Sequence, residues 1–109
     1  MAKLLLEIQH NLSKDIALER IKTILPTLQT QYSDLISELE EKWSGYTNKF
    51  KFRIKGFKVS GIVTFQDKAI LLDGDLPFFA LPFKDQIEQT ILAEANKILK
   101  WNYDGTGNS

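Results

Sequence analysis

Cysteine is absent from the 109 residues, which excludes disulfides and thiolate chemistry and leaves the redox compartment open. Histidine occurs once, at His10, so a histidine-rich metal site cannot be built. Fourteen basic and fourteen acidic side chains cancel, which argues against adhesion to nucleic acid or an anionic membrane by net charge. No apolar run approaches the roughly 20 residues of a membrane-spanning helix. Residues 1–7 become charged too early for the apolar region of a signal peptide, so a soluble, cytoplasmic protein is expected. Phosphate-binding glycine loops, nucleophile elbows and metal motifs are also missing. Neither a cofactor nor a metal is expected.

What the chain does contain is a run of strands. Phe50, Phe52 and Ile54 alternate with Lys49, Lys51, Arg53 and Lys55, giving a strand with one apolar and one charged face. Gly56 marks a turn, after which Phe57, Val59, Val63 and Phe65 form the inward row of a second strand. Gly61 falls in that row, which suggests a bulge, a bend or close approach of a covering helix. A turn at residues 66–68 leads to a last strand over 69–75. Near the start, Leu4, Leu6 and Ile8 share one face of a first strand over 4–10.

Between these, Ser13 is placed as a helix N-cap with Asp15 in the first turn. Ile21, Leu25, Leu28 and Tyr32 recur at helical spacing over 13–32. Pro26 interrupts that helix and predicts a kink or break near 22–25. Residues 35–43 fit either a helix or a strand, and a pairing argument favours a strand over 38–44. With residues 44–48 as the hairpin loop, Trp43 faces Phe50, Leu39 faces Ile54, Glu40 opposes Arg53 and Glu38 opposes Lys55. Only Lys42 and Lys51 then pair like charges. A closing helix is expected over 82–101, with Pro82 as its first residue and Ile87, Ile91, Ala95 and Ile98 as its core stripe. The expected whole is a single α+β domain over 1–101, an antiparallel sheet in β-α-β-β-β-β-α order with the long C-terminal helix packed on one face. A disordered tail is expected over 102–109.

Each candidate for chemistry has a plainer reading beside it. His10 ends the first strand and reads as a surface or capping residue rather than a general base. Glu41 points inward beside Leu39 and Trp43 in the favoured register, and Asp73 is placed to share that face. Two such carboxylates could do acid–base work, although an edge position reaching solvent is the simpler reading. The stripe of Lys49, Lys51, Arg53, Lys55 and Lys58 resembles a nucleic-acid surface. Its interleaved phenylalanines point to the other face, however, so they cannot stack bases beside the cations. A solvated sheet face, partly neutralised by Glu38 and Glu40, is the reading taken. The segment 78–83, with three phenylalanines and no charge, cannot easily turn every side chain inward. It is either a plug for the open end of the sheet or an exposed contact surface.

The order and spacing of several short pieces resemble the bacterial polyhydroxyalkanoic acid system proteins, the granule-region family. The pieces are His10-Asn11-Leu12-Ser13 with Ala17 and Arg20, then Trp43-Ser44-Gly45, Phe50-Lys51-Phe52 and Gly56-Phe57-Lys58-Val59-Ser60-Gly61. Leu72-Asp73-Gly74-Asp75-Leu76-Pro77 and Phe83-Lys84 with Ile87 and Glu88 complete the match, over about residues 3–100. The resemblance implies a cut-down helix-grip fold of the kind found in steroidogenic-acute-regulatory-type (START-like) lipid-transfer domains, with no catalytic residues to carry over. It implies an accessory, non-enzymatic role at polyhydroxyalkanoate granules, with polymer or a granule protein as partner. Phe78, Phe79, Leu81 and Phe83 are the expected contact. The alternative is a small binder of an apolar, acyl-type ligand, lined by Trp43, Phe52, Val63 and Ile91 with Glu41. Oligomeric state is left open by the sequence.

Overall fold

Alternation of apolar and charged residues builds a five-stranded antiparallel sheet in this computed structural model, which describes residues 2–100. Strand β1 (Ala2–Gln9) is followed by helices α1 (Lys14–Ile21) and α2 (Ile24–Gln31). The meander β2 (Ile36–Ser44), β3 (Thr47–Ile54), β4 (Phe57–Gln66) and β5 (Ala69–Leu76) comes next. A 3-10 turn over Phe78–Phe83 then leads into helix α3 (Lys84–Leu99). The spatial order is β1-β5-β4-β3-β2, so the first strand returns beside the last. The α+β class and the expected element order hold, with α3 packed on the sheet. The tail expected at 102–109 lies outside the described residues.

The break before Pro26 falls where the sequence places it. Because α2 begins at Ile24, Pro26 stands in a first turn whose N–H groups need no helical partner. Ser13 caps α1, its Oγ accepting from Ile16 N–H at 3.3 Å. Asp67, from the β4–β5 turn, adds a second cap by accepting from Lys14 N–H at 2.8 Å. The Asp15 carboxylate accepts from the Tyr46 hydroxyl at 2.5 Å. That bond, then desolvation, holds the Tyr46 pKa above its ordinary 10.0. At the far end, Arg20 donates to the carbonyls of Ile98 (3.3 Å) and Leu99 (2.8 Å), so α1 caps the C-terminus of α3.

The core lies between the helices and one sheet face, in two clusters. One gathers Ile8, Ala17, Phe65, Ile70, Ala95 and Leu99; the other gathers Leu4, Val59 and Leu76, and Ile91 packs against both. Leu99 is buried although the expected stripe of α3 ran through Ile98, which is only half-buried. Tyr32, expected to close the stripe of the first helical region, is exposed because α2 ends at Gln31. Pro82 lies inside the 3-10 turn and not at the start of α3.

The β2–β3 pairing differs from the expected register by two. Its turn is only Gly45-Tyr46, with Gly45 at φ 59°, so Ser44 pairs Thr47 and Trp43 pairs Asn48. Glu41 faces Phe50 and Lys42 faces Lys49, while Glu40 bridges Lys51 and Glu38 bridges Arg53, both at 3.5 Å. A bulge between Ser37 and Glu40, with Glu38 at φ 56°, shifts the register again near Ile36. The next hairpin turns on Lys55 (φ 51°) and Gly56 (φ 87°), the two positive values a twisted two-residue hairpin turn requires.

Candidate functional site

Pro77, held extended at φ −56° and ψ 142°, ends β5 and starts the 3-10 turn, whose first bond runs from Ala80 N–H to the Pro77 carbonyl. Ala80 is the member of the turn that packs inward, against the Leu4–Val59–Leu76 cluster. The larger side chains are left outside: Phe78 is 75% exposed, Phe79 52%, Leu81 56% and Phe83 58%. All four sequence-predicted contact residues therefore share one exposed turn.

The surface extends beyond them. Phe57, read from sequence as an inward residue, is 53% exposed and meets the Phe79 ring edge-on, centroids 4.6 Å apart at 69°. Its exposed strand neighbour Ile54 lies beside it on the β3–β4 hairpin. Phe57 lies at the tip of a hairpin whose only positional warning was the adjacent Gly56. Half-exposed aromatic and leucine side chains of this number present roughly 400–500 Å² of apolar surface, as large as the largest patch on a typical monomer. Arg53 Nη1 donates to the Gly56 carbonyl at 2.7 Å and fixes the hairpin tip at the border of this patch.

The residues expected to line an acyl pocket share the helix-facing side of the sheet but belong to separate packing groups. Trp43 stacks on Phe65 (centroids 5.9 Å, interplanar 22°), and Val63 packs in that same cluster. Phe52 packs with Val59 and stacks on Phe50 at 6.1 Å. Ile91 touches both clusters. The two grooves described, of about 390 and 500 Å³, lie on the opposite sheet face.

Two further placements correct the sequence reading. Asp73 does not share a face with Glu41: it points to the open side and pairs Lys3 at 2.8 Å. The two carboxylates therefore cannot act as an acid–base pair. His10 is buried, at 8% exposure, and not on the surface. Its Nδ1 accepts from Leu12 N–H at 3.0 Å, so Nε2 carries the proton and donates to the Gln66 carbonyl at 3.0 Å. It is a capping residue with both ring nitrogens engaged.

Glu41 does face inward, as expected, and accepts from Asn48 Nδ2 at 3.0 Å. Asn48, expected in a loop, is a buried β3 residue whose Oδ1 has no hydrogen-bond partner among the described residues. Glu41→Leu therefore strands the Asn48 amide and is expected to cost about 1–3 kcal/mol. Glu41→Leu with Asn48→Val removes both polar groups and is expected to return stability to within about 1 kcal/mol of the wild type. Urea denaturation of the two variants checks this; equal losses in both would sink it.

These features define a small α+β protein with a sheet covered by helices on one face and an exposed apolar surface at one end. Its family is shown by direct comparison: the profile of the polyhydroxyalkanoic acid system proteins, the PHA granule region family, matches residues 4–99, and the chain belongs to that family. The family description names a system and not a reaction. No curated protein and no solved structure matches the chain. Among the described residues, no helix is long and apolar enough to cross a membrane.

Proposed function

We propose that this chain is a non-enzymatic accessory protein of polyhydroxyalkanoate granules, seated on the polymer or on a granule protein through Phe78, Phe79, Leu81 and Phe83. The carrying observation is that one uncharged turn leaves all four side chains more than half exposed, continuous with Phe57. Family membership supplies the setting. An aliphatic polyester offers methyl and methylene groups against which phenylalanine rings can pack, and such a surface needs no enclosed pocket.

Phe79 has about 100 Å² to lose to such a contact, which corresponds to about 2 kcal/mol or roughly 30-fold in affinity. Purified protein is expected to co-sediment saturably with artificial polyhydroxybutyrate granules, against a soluble domain of the same size as control. Phe79→Ser is expected to lose that binding while its thermal transition stays within a few degrees of the wild type. Binding no greater than the control would overturn the polymer contact. A thermal shift with acyl compounds, unchanged in Phe79→Ser, would instead favour a ligand site near Trp43, Phe52, Val63, Ile91 and Glu41.

A further inference from the structure

The helices cover one face of the sheet and leave the other bare. Across the strands in the order β2-β3-β4-β5-β1, at the height of Ile62, the outward residues are Lys42, Lys49, Ile62, Asp73 and Leu5. One row along they are Glu40, Lys51, Ser60, Asp75 and Lys3. The middle strand β4 carries neutral Ser60, Ile62 and Thr64. To one side of it, β3 is cationic; to the other, β5 is anionic.

Among the described residues these charges are not fully compensated. Lys42 and Lys49 stand directly opposite each other, and neither has an ion-pair partner among the described residues. Asp73 and Asp75 share the single Lys3, at 2.8 and 3.4 Å. Like charges opposed across strands are destabilising. Exposed Leu5, Ile62 and Leu71 lie among them and line the 500 Å³ groove on this face.

We propose that this open face docks a second copy of the chain, sheet on sheet, about a two-fold axis running along β4. Such an axis exchanges β3 with β5 and β2 with β1 but keeps each row at its own height. Ile62 then meets Ile62 at the centre. Lys49 of each copy meets Asp73 of the other, Lys51 meets Asp75, and Glu40 meets Lys3. Leu5 comes to rest on the aliphatic stem of Lys42.

A small anion or an acidic segment on the lysine side would leave Asp73 and Asp75 unanswered. A copy of this chain presents both signs in reversed order. Aligned sheets cross at about 30°, so the correspondence is best beside the axis, where Lys49 and Asp73 lie. Lys58 lies two rows from Ile62 on the same strand, where the crossing of the two sheets carries it off the axis and away from its own copy. Five strands about 4.8 Å apart and over 20 Å long offer roughly 500 Å² per copy, which brings the pair to the lower bound of about 1,000 Å² for a specific interface.

Sedimentation equilibrium of the full chain tests this with Lys49→Asp, Asp73→Lys and the two combined, each confirmed as folded by circular dichroism. The wild type is expected to dimerise, and each single reversal to weaken the dimer at least about 10-fold. The double reversal restores it to within about threefold, because the pair is re-formed with signs exchanged. A wild type that stays monomeric up to about 1 mM overturns the proposal, since so weak a contact is no specific interface. So does a dimer indifferent to both single reversals, or one lost in Phe79→Ser alone, which would place the contact at the apolar end of the sheet.

Discussion

His10→Ala is expected to destabilise the protein by about 2–4 kcal/mol, lowering the thermal midpoint by roughly 10–20 °C. The imidazole ties two distant pieces of chain together. Its Nδ1 satisfies Leu12 N–H just before α1, and its Nε2 satisfies the Gln66 carbonyl 56 residues away. Its own N–H donates to the Lys68 carbonyl at 3.0 Å, and Asp67 of the same turn caps Lys14. Truncation leaves one donor and one acceptor in a site that the ring had kept nearly dry, each costing about 1–3 kcal/mol if water does not enter. His10→Asn gives a finer test. An asparagine oxygen stands where Nδ1 stands and can accept from Leu12 N–H as an Asx turn does, so about half of the loss is expected back. Thermal and urea denaturation measure both variants. A His10→Ala protein within about 0.5 kcal/mol of the wild type would show that the two ring hydrogen bonds contribute nothing to stability.

That outcome bears on how much of the molecule was legible. The strand-end position of His10 pointed to capping, and the structure agrees. Burial was not readable, because it depends on a turn that arrives from the β4–β5 hairpin. The β2–β3 pairing shows a different kind of limit. Glu38 and Glu40 against Lys49, Lys51, Arg53 and Lys55 alternate with period two, so charge matching is satisfied equally well after a shift of two residues. Opposite charges do face each other, but with Lys51 and Arg53 as partners and not Arg53 and Lys55. Turn length had to break the tie. The two-residue turn at Gly45-Tyr46 does so and carries Asn48 into the sheet.

The candidate surface was read more directly than the candidate pocket. Four phenylalanine and leucine residues without a charge among them cannot be buried by a turn that has only Ala80 to offer the core, and composition alone raised that difficulty. The expectation that Asp73 shares the face of Glu41 fails because its neighbours Leu72 and Gly74 alternate with it and lie on the helix side. Phe57 was missed as a surface residue because alternation says which face a side chain takes. It does not say whether a helix extends far enough to cover it.

Gly61→Val is expected to cost about 1–3 kcal/mol, although valine ordinarily suits a strand better than glycine. No bulge lies at Gly61: its pairing with Phe50 on one side and Gly74 on the other is regular. The cause is the Phe50 ring, which lies over the glycine. A Cβ there would stand 2.7 Å from Phe50 Cζ and 3.0 Å from the Asp73 carbonyl oxygen. Any side chain must therefore evict the ring, which in turn stacks on Phe52. Removing the ring first should remove most of the penalty. In a Phe50→Ala background, Gly61→Val is expected to be close to neutral, giving a coupling of about 1–3 kcal/mol in a double-mutant cycle. Additivity within about 0.3 kcal/mol would show that the Asp73 carbonyl, and not Phe50, reserves the position for glycine. The same packing bears on function: a ring seated in the notch left by Gly61 occupies helix-facing space beside Phe52 that an acyl chain would need. That packing supports the reading proposed above, in which apolar contact is made by the exposed turn that carries Phe78, Phe79, Leu81 and Phe83.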